Sequence, residues 1–220
     1  MSGVPEVYAA IAARLPYHVG AAAVGLSPVP GSRGSDADWV AEQITAAGRM
    51  YRFRDRRVLG VLWWYSASMM VPAPTVESLV VTGMALDPAA VTLYLHPDGR
   101  ILAATSDSLC SAPGAALRGV FESVISAVAA VTGAKARTLW AVAADSLANR
   151  VLWSGGTPEL ALSLAADMPE LPTPRFVNVN GRDYVRRGSC CLIYEATGGP
   201  KCVSCPRQLP EERLARLSAL

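Results

Sequence analysis

The sequence predicts an α+β fold: a helix-rich body packed on a small antiparallel sheet, followed by a cysteine-bearing C-terminal loop. Three observations carry that expectation. Long stretches place apolar residues at helical spacing. Two short β-type runs are each divided by a tight-turn pair, Asp98-Gly99 and Asn180-Gly181. Strands do not alternate regularly with helices, which separates this order from a doubly wound α/β sheet.

The elements follow in order. Val4–Leu15 reads as a helix stopped by Pro16, and Pro28–Gly34 as a loop. Ser35 and Asp38 give a capping-box-like start to a helix running to about Gly48. A second helix spans Arg56–Met70, ended by Pro72 and Pro74, and a third follows over about Val76–Thr82. The period then changes. Val91–Leu95 and Ile101–Thr105 flank His96-Pro97-Asp98-Gly99-Arg100 as a hairpin. Helices over Gly114–Val131 and Ala136–Trp153 are broken by Gly133 and by Gly155-Gly156. Thr157 caps a short helix with Pro158 at its first position. Leu171–Pro174 is a linker. Phe176–Val179 and Asp183–Arg187 form a second hairpin, expected in the same sheet as the first, that feeds directly into Cys190. An amphipathic helix, Glu211–Leu220, closes the chain with Leu214 and Leu217 on one side. By this reading residues 1–185 form the body, 186–209 the cysteine segment and 210–220 the terminal helix.

A chain of 220 residues is long enough for one well-buried core. With 51% hydrophobic and 17% charged residues it belongs among globular rather than disordered chains. A net charge of +2 gives no case for nucleic acid. Met1–Glu6 lacks the basic and apolar regions of a secretory signal. The apolar stretch Val58–Ala73 contains Ser66, Ser68 and Pro72 and is short for a span of ~20 residues, so it reads as a core helix and no stable membrane insertion is expected. Free cysteines without an export signal point to a reducing cytoplasm, with room for peripheral contact at the inner face of a membrane.

Four of the five cysteines lie close together: Cys190, Cys191, Cys202 and Cys205, spaced C-C-x10-C-x2-C. Four thiolates in so short a stretch read as a metal or iron–sulfur site. Neighbouring side chains of an extended chain point to opposite faces. Cys190 and Cys191 therefore reach one small object only where the backbone turns, or where the object is wide enough to be gripped at separate points. Structural zinc is a single point and usually takes pairs spaced C-x2-4-C. A [2Fe–2S] cluster offers two irons, each needing two terminal ligands. The adjacent pair could serve one iron or one each.

Over about residues 184–206 the chain resembles the FhuF-like family of siderophore-iron reductases, bacterial proteins with a C-terminal [2Fe–2S] cluster held by C-C-x10-C-x2-C. The resemblance rests on both cysteine pairs, on Arg186, Arg187 and Ser189 before them, on Leu192-Ile193-Tyr194 after the first pair, and on the Gly198-Gly199 bend. Upstream it extends only to the helix-rich layout and the hairpin near residues 91–105. Glu195 departs from it, because an arginine-like residue is expected after the tyrosine. The resemblance implies a cytoplasmic oxidoreductase that passes one electron from the cluster to a ferric siderophore. Fe(II) binds hard oxygen donors less tightly than Fe(III), so the iron would then leave. It also implies Cys190, Cys191, Cys202 and Cys205 as ligands, and an external electron donor such as a ferredoxin or reductase. Arg186, Arg187, Lys201 and Arg207 are expected on the rim. There they either offset the charge of four thiolates or form a positive collar for an anionic chelate or an acidic donor. Two alternatives stand beside this reading: an electron-relay protein with no siderophore substrate of its own, and a structural zinc module.

Other residues add little. Cys110 reads as a small buried hydrophobe, and His18 and His96 as isolated structural histidines. Trp63-Trp64-Tyr65 is read as core, with a siderophore cleft as the competing role. No G-x-G-x-x-G opens a helix after a strand, so electrons are expected from a partner protein rather than from a bound nicotinamide or flavin.

Overall fold

Helices α1 (Val4–Arg14), α2 (Ala37–Tyr51), α3 (Arg56–Met70), α4 (Ala73–Thr82), α5 (Pro113–Thr132), α6 (Ala136–Trp153) and α7 (Pro158–Ala166) build the body. The computed structural model describes residues 3–23 and 25–219. Met1, Ser2 and the expected helix end at Leu220 lie outside the described residues.

Two helices organise the core. α6 is buried on most of its faces, Leu139, Val142, Ala143, Leu147, Ala148 and Val151 among the enclosed residues, as expected of a helix surrounded by neighbours. α3 packs along it. The Trp64 indole is fully buried and its N–H donates to the Leu139 carbonyl at 2.8 Å. The hydroxyls of Ser68 and Ser146 meet between the two helices at 2.8 Å. Gly60 lets α3 approach α5, since a Cβ there would lie 2.6 Å from the Thr132 hydroxyl. Asp55 caps α3, its carboxylate accepting from the N–H groups of Arg57 and Val58. α2 is capped by Asp36, which accepts from Asp38 and Trp39. The expected Ser35/Asp38 start is thus displaced by one residue, because the Ser35 hydroxyl donates to the Ser32 carbonyl instead.

The strands are β1 (Ser27–Pro30), β2 (Ala85–Leu86), β3 (Val91–Leu95), β4 (Ile101–Ser106), β5 (Leu109–Cys110), β6 (Phe176–Val179) and β7 (Arg182–Val185). All pairings are antiparallel, in a three-stranded sheet β1-β3-β4 and the pairs β2-β5 and β6-β7. The hairpin β3–β4 forms as expected around Asp98-Gly99. Its companion β6–β7 turns at Asn180 and Gly181, with φ of 53° and 80°, the left-handed pair that a two-residue hairpin needs. The two hairpins do not share a sheet. The third strand beside β3 comes from Ser27–Pro30, whose Pro28–Pro30 were expected to lie in a loop. An edge strand tolerates proline, since one row of its N–H groups needs no partner.

By length and composition one helix among the described residues, α5, could cross a membrane. Leu117, Phe121, Val124, Ile125 and Val128 of this helix are buried in the core.

One buried ion pair carries a pH signature. The Glu77 carboxylate on α4 accepts from the Val19 N–H at 3.1 and 3.2 Å and from Arg150 at 3.3 Å. Burial pushes its pKa up from 4.5 to about 7, against the opposing pull of Arg150 and the Val19 N–H. Between those values the folded chain binds more protons than the unfolded one, so stability falls as pH rises from 4.5 and levels off above 7. The size is on the order of 3 kcal/mol. Urea unfolding of Glu77→Gln across this range should lack most of that slope.

Candidate metal centre

The C-terminal segment leaves β7, passes the four cysteines and a short helix α8 (Ile193–Thr197), and ends in α9 (Pro210–Ser218). It lies on the body through α8, where Leu192, Ile193 and Ala196 pack on Val58 and Leu62 of α3.

Local backbone solves the problem of two adjacent cysteines. Leu192 has φ +62°, a left-handed conformation that is rare for a residue with a Cβ. The chain turns there, and α8 begins directly after. The Leu192 N–H then points back to the Cys190 sulfur at 3.5 Å, and the Ile193 N–H donates to Cys191. On the second half of the loop, the Cys205 N–H donates to the Cys202 carbonyl at 3.0 Å. The buried Gln208 amide clamps the same turn, donating to the carbonyls of Cys202 at 2.7 Å and Val203 at 3.0 Å.

These turns bring all four thiols together. Cys190 and Cys205 lie 3.6 Å apart, sulfur to sulfur. That is close to the spacing of two thiolates on one tetrahedral metal, roughly 3.8 Å for bonds of ~2.3 Å. Cys191 is hydrogen-bonded to both Cys190 and Cys202. Cys191 thus links Cys202 to the Cys190–Cys205 pair. Among the described residues, no three His, Cys, Asp or Glu side chains gather as they would about one ion. Cys191 and Cys205 are buried, Cys190 and Cys202 half-buried. The Cys191 thiol is held well below its ordinary pKa by hydrogen bonds from Cys190 and Cys202 and by the Arg187 charge. Cys190 and Cys202 are pushed up, first by their hydrogen bonds to Cys191 and then by burial.

The anchor of the loop is Asp145, from the middle of α6. Its buried carboxylate accepts from the Gly188 N–H at 3.0 Å, the Ser189 N–H at 2.8 Å and the Ser189 hydroxyl at 2.5 Å. Burial raises its pKa, and these hydrogen bonds together with Arg187 oppose the rise. Sequence reasoning missed Asp145 and Gln208. The only signal for Asp145 was an acid in the middle of a helix that otherwise reads as core, and nothing local tied it to a segment more than 40 residues away.

The four basic residues do not form one rim. Arg187 is a correction to that expectation: its side chain is 2% exposed. It is enclosed by the Tyr65 ring, 4.9 Å from the guanidinium, and by Asp145 at 3.7 Å, and it donates to the Cys202 sulfur at 3.6 Å. Arg186 is exposed but lines a groove with Phe176, Val177 and Leu217, between β6 and α9. Lys201 and Arg207 meet on the outer face, where the Lys201 ammonium donates to the Arg207 carbonyl at 2.7 Å. Arg207 in turn donates to Glu195 at 2.8 Å and to the Tyr194 hydroxyl at 2.6 Å. Glu195, the departure from the family pattern, thus partly neutralises a neighbouring cation.

Of the other candidates, Cys110 sits on β5 opposite Ala85 of β2, and burial raises its thiol pKa. His96 pairs with Asp98 in the hairpin turn at 2.9 Å. Trp63 does line a cleft. A pocket between α2, α3 and the β3–β4 turn is bordered by Gln43, Ala46, Met50, Tyr51, Trp63 and Arg100. That pocket is small, about 70 Å³; it adjoins, through Gln43, Ala46 and Met50, an open surface groove of about 730 Å³ that Glu42, Arg49, His96 and Pro97 also line, within the ~300–1,000 Å³ typical of ligand sites. Leu62 and Tyr51 line the smaller pocket and pack on the residues just after Cys191.

Compared with known proteins, residues 187–207 match a protein family described as the FhuF 2Fe-2S C-terminal domain. No curated protein matches the chain. The match spans both cysteine pairs, and the cofactor it indicates is a [2Fe–2S] cluster. The residues present suit that group. Four thiols lie together, and Arg187 has two buried N–H groups, at Nε and Nη2, without any partner. Unpaired buried donors cost about 1–3 kcal/mol each, and acceptor sulfur arriving with the cluster would satisfy them.

Proposed function

The chain is FhuF-like through its C-terminal 2Fe-2S segment, and from that premise we propose that it reduces ferric siderophores. The bound cluster supplies one-electron transfer. Cys190, Cys191, Cys202 and Cys205 hold it, and Asp145 and Gln208 fix the two halves of the loop that present them. The body formed by residues 1–185 supplies the docking surface. The ferric chelate lies in the groove of α2, α3 and the β3–β4 turn, within reach of the loop across Tyr51 and Leu62. Lys201 and Arg207, exposed on the other face of the loop, steer an acidic electron donor. No bond of the siderophore is cut, so no acid–base pair is required.

The observation that carries this reading is the match over residues 187–207 on a loop that packs on Tyr51 and Leu62, which line a small pocket adjoining a larger surface groove. A simple electron relay has no use for such a groove, which favours the reductase reading over the relay. Ala46 lines the groove and is half-buried on α2. Ala46→Trp should fill it and slow reduction of a ferric siderophore by the reduced protein at least tenfold. Oxidation by ferricyanide, which needs no groove, should keep its rate. Equal rates for Ala46→Trp and the parent chain with the siderophore would remove the groove from the account.

A further inference from the structure

Arg187 is a charged side chain almost wholly withdrawn from water. Burying a guanidinium is costly unless its charge and its donors are met, and here they are met only in part. Asp145 is the obvious counter-ion, yet its nearest approach, to Nε, is 3.7 Å, too long for a hydrogen bond. The carboxylate is already occupied by Gly188 and Ser189. The Tyr65 ring covers the guanidinium at 4.9 Å without accepting a conventional hydrogen bond. Nη1 reaches the Cys202 sulfur at 3.6 Å, while Nε and Nη2 have no partner. A permanent cation is thus held against one of the four thiols with donors to spare. The cost persists although Asp145 could close on it, because Asp145 is committed to the loop.

We infer that Arg187 is an internal setting device for the reduction potential of the centre, acting through its bond to Cys202 and through buried donors left free for acceptor sulfur. Reduction adds one negative charge to a centre that four thiolates already make anionic. A fixed buried cation and N–H···S bonds stabilise that added charge more than they stabilise the oxidised state, and both raise the potential. The carboxylate of Asp145, beside Arg187, works against this, so the pair sets the potential by difference. Water screens little here, because Arg187, Asp145 and Cys191 are all buried. Arg187 is a positioning residue: nothing here places it on the siderophore, and the inference stands whichever substrate the centre serves.

The test uses the cluster-loaded protein. Arg187→Gln keeps a flat polar side chain and removes the charge; Arg187→Lys keeps the charge and loses the fork. Redox titration followed by electron paramagnetic resonance should place Arg187→Gln at a lower potential, at least tenfold less reduced against a fixed partner, or 59 mV for one electron. Arg187→Lys should recover part of that shift. A second measurement needs no variant. In the reduced parent protein labelled with ¹⁵N only at arginine, pulsed resonance should detect a guanidinium nitrogen coupled to the unpaired electron. An unshifted potential in Arg187→Gln would overturn the proposal, and so would the absence of nitrogen coupling in the labelled protein should that variant fail to load its cluster.

Discussion

Replacing Asp145 with alanine is expected to empty the C-terminal segment of iron while leaving the helical body folded. The carboxylate receives three hydrogen bonds from Gly188 and Ser189, immediately before Cys190. Its removal orphans three donors, the two on Ser189 buried, and leaves Arg187 as an uncompensated buried charge. Breaking a buried pair in this way costs about 3–5 kcal/mol. The loop can avoid that cost by lifting Arg187 into water, and the thiols then separate. The core does not depend on this contact, since α6 packs through Leu139, Val142, Leu147 and Val151. Iron and acid-labile sulfide per chain should fall at least tenfold, with far-ultraviolet circular dichroism unchanged. Full iron content in Asp145→Ala would show that the loop holds itself together without α6.

Serine at any of Cys190, Cys191, Cys202 or Cys205 should come next in size. The two buried thiols, Cys191 and Cys205, should be the most damaging, because no water can stand in for the lost ligand at an enclosed position. Visible absorption in Cys191→Ser and Cys205→Ser should drop at least tenfold. Cys110→Ser is the control: its sulfur sits in the β2–β5 pair, weakly bonded to the Leu86 carbonyl, and the spectrum should stay intact. Bleaching by Cys110→Ser with colour retained in Cys191→Ser would invert the ligand assignment.

What the sequence made legible here is what local chemistry decides. α3 and α6 run between the boundaries expected of them, Arg56–Met70 and Ala136–Trp153, because an aspartate cap, prolines and glycines mark their ends. Both hairpins follow from their turn residues. β1 escaped because strand propensity penalises Pro28 and Pro30, while pairing with β3 is a long-range event that no local signal announces. The separation of β6–β7 from the main sheet is of the same kind. At the metal centre the cysteines declared the chemistry, but not the support beneath it. Asp145 and Tyr65 meet the loop only after α3 and α6 pack. Arg187 reads in the sequence like its neighbour Arg186, yet one side chain faces the core and the other solvent. Charge in a sequence does not reveal burial, and for Arg187 burial decides between steering a partner and setting a potential.

The most direct test of the functional account is a single turnover. The protein is reduced by one electron without air and mixed with a ferric siderophore in the presence of a trap for Fe(II). The account predicts that the visible bands of the oxidised centre return at a rate that saturates with siderophore concentration, and that one Fe(II) is trapped per reduced chain. Prompt oxidation by ferricyanide with no oxidation by any ferric siderophore would contradict it and leave an electron relay.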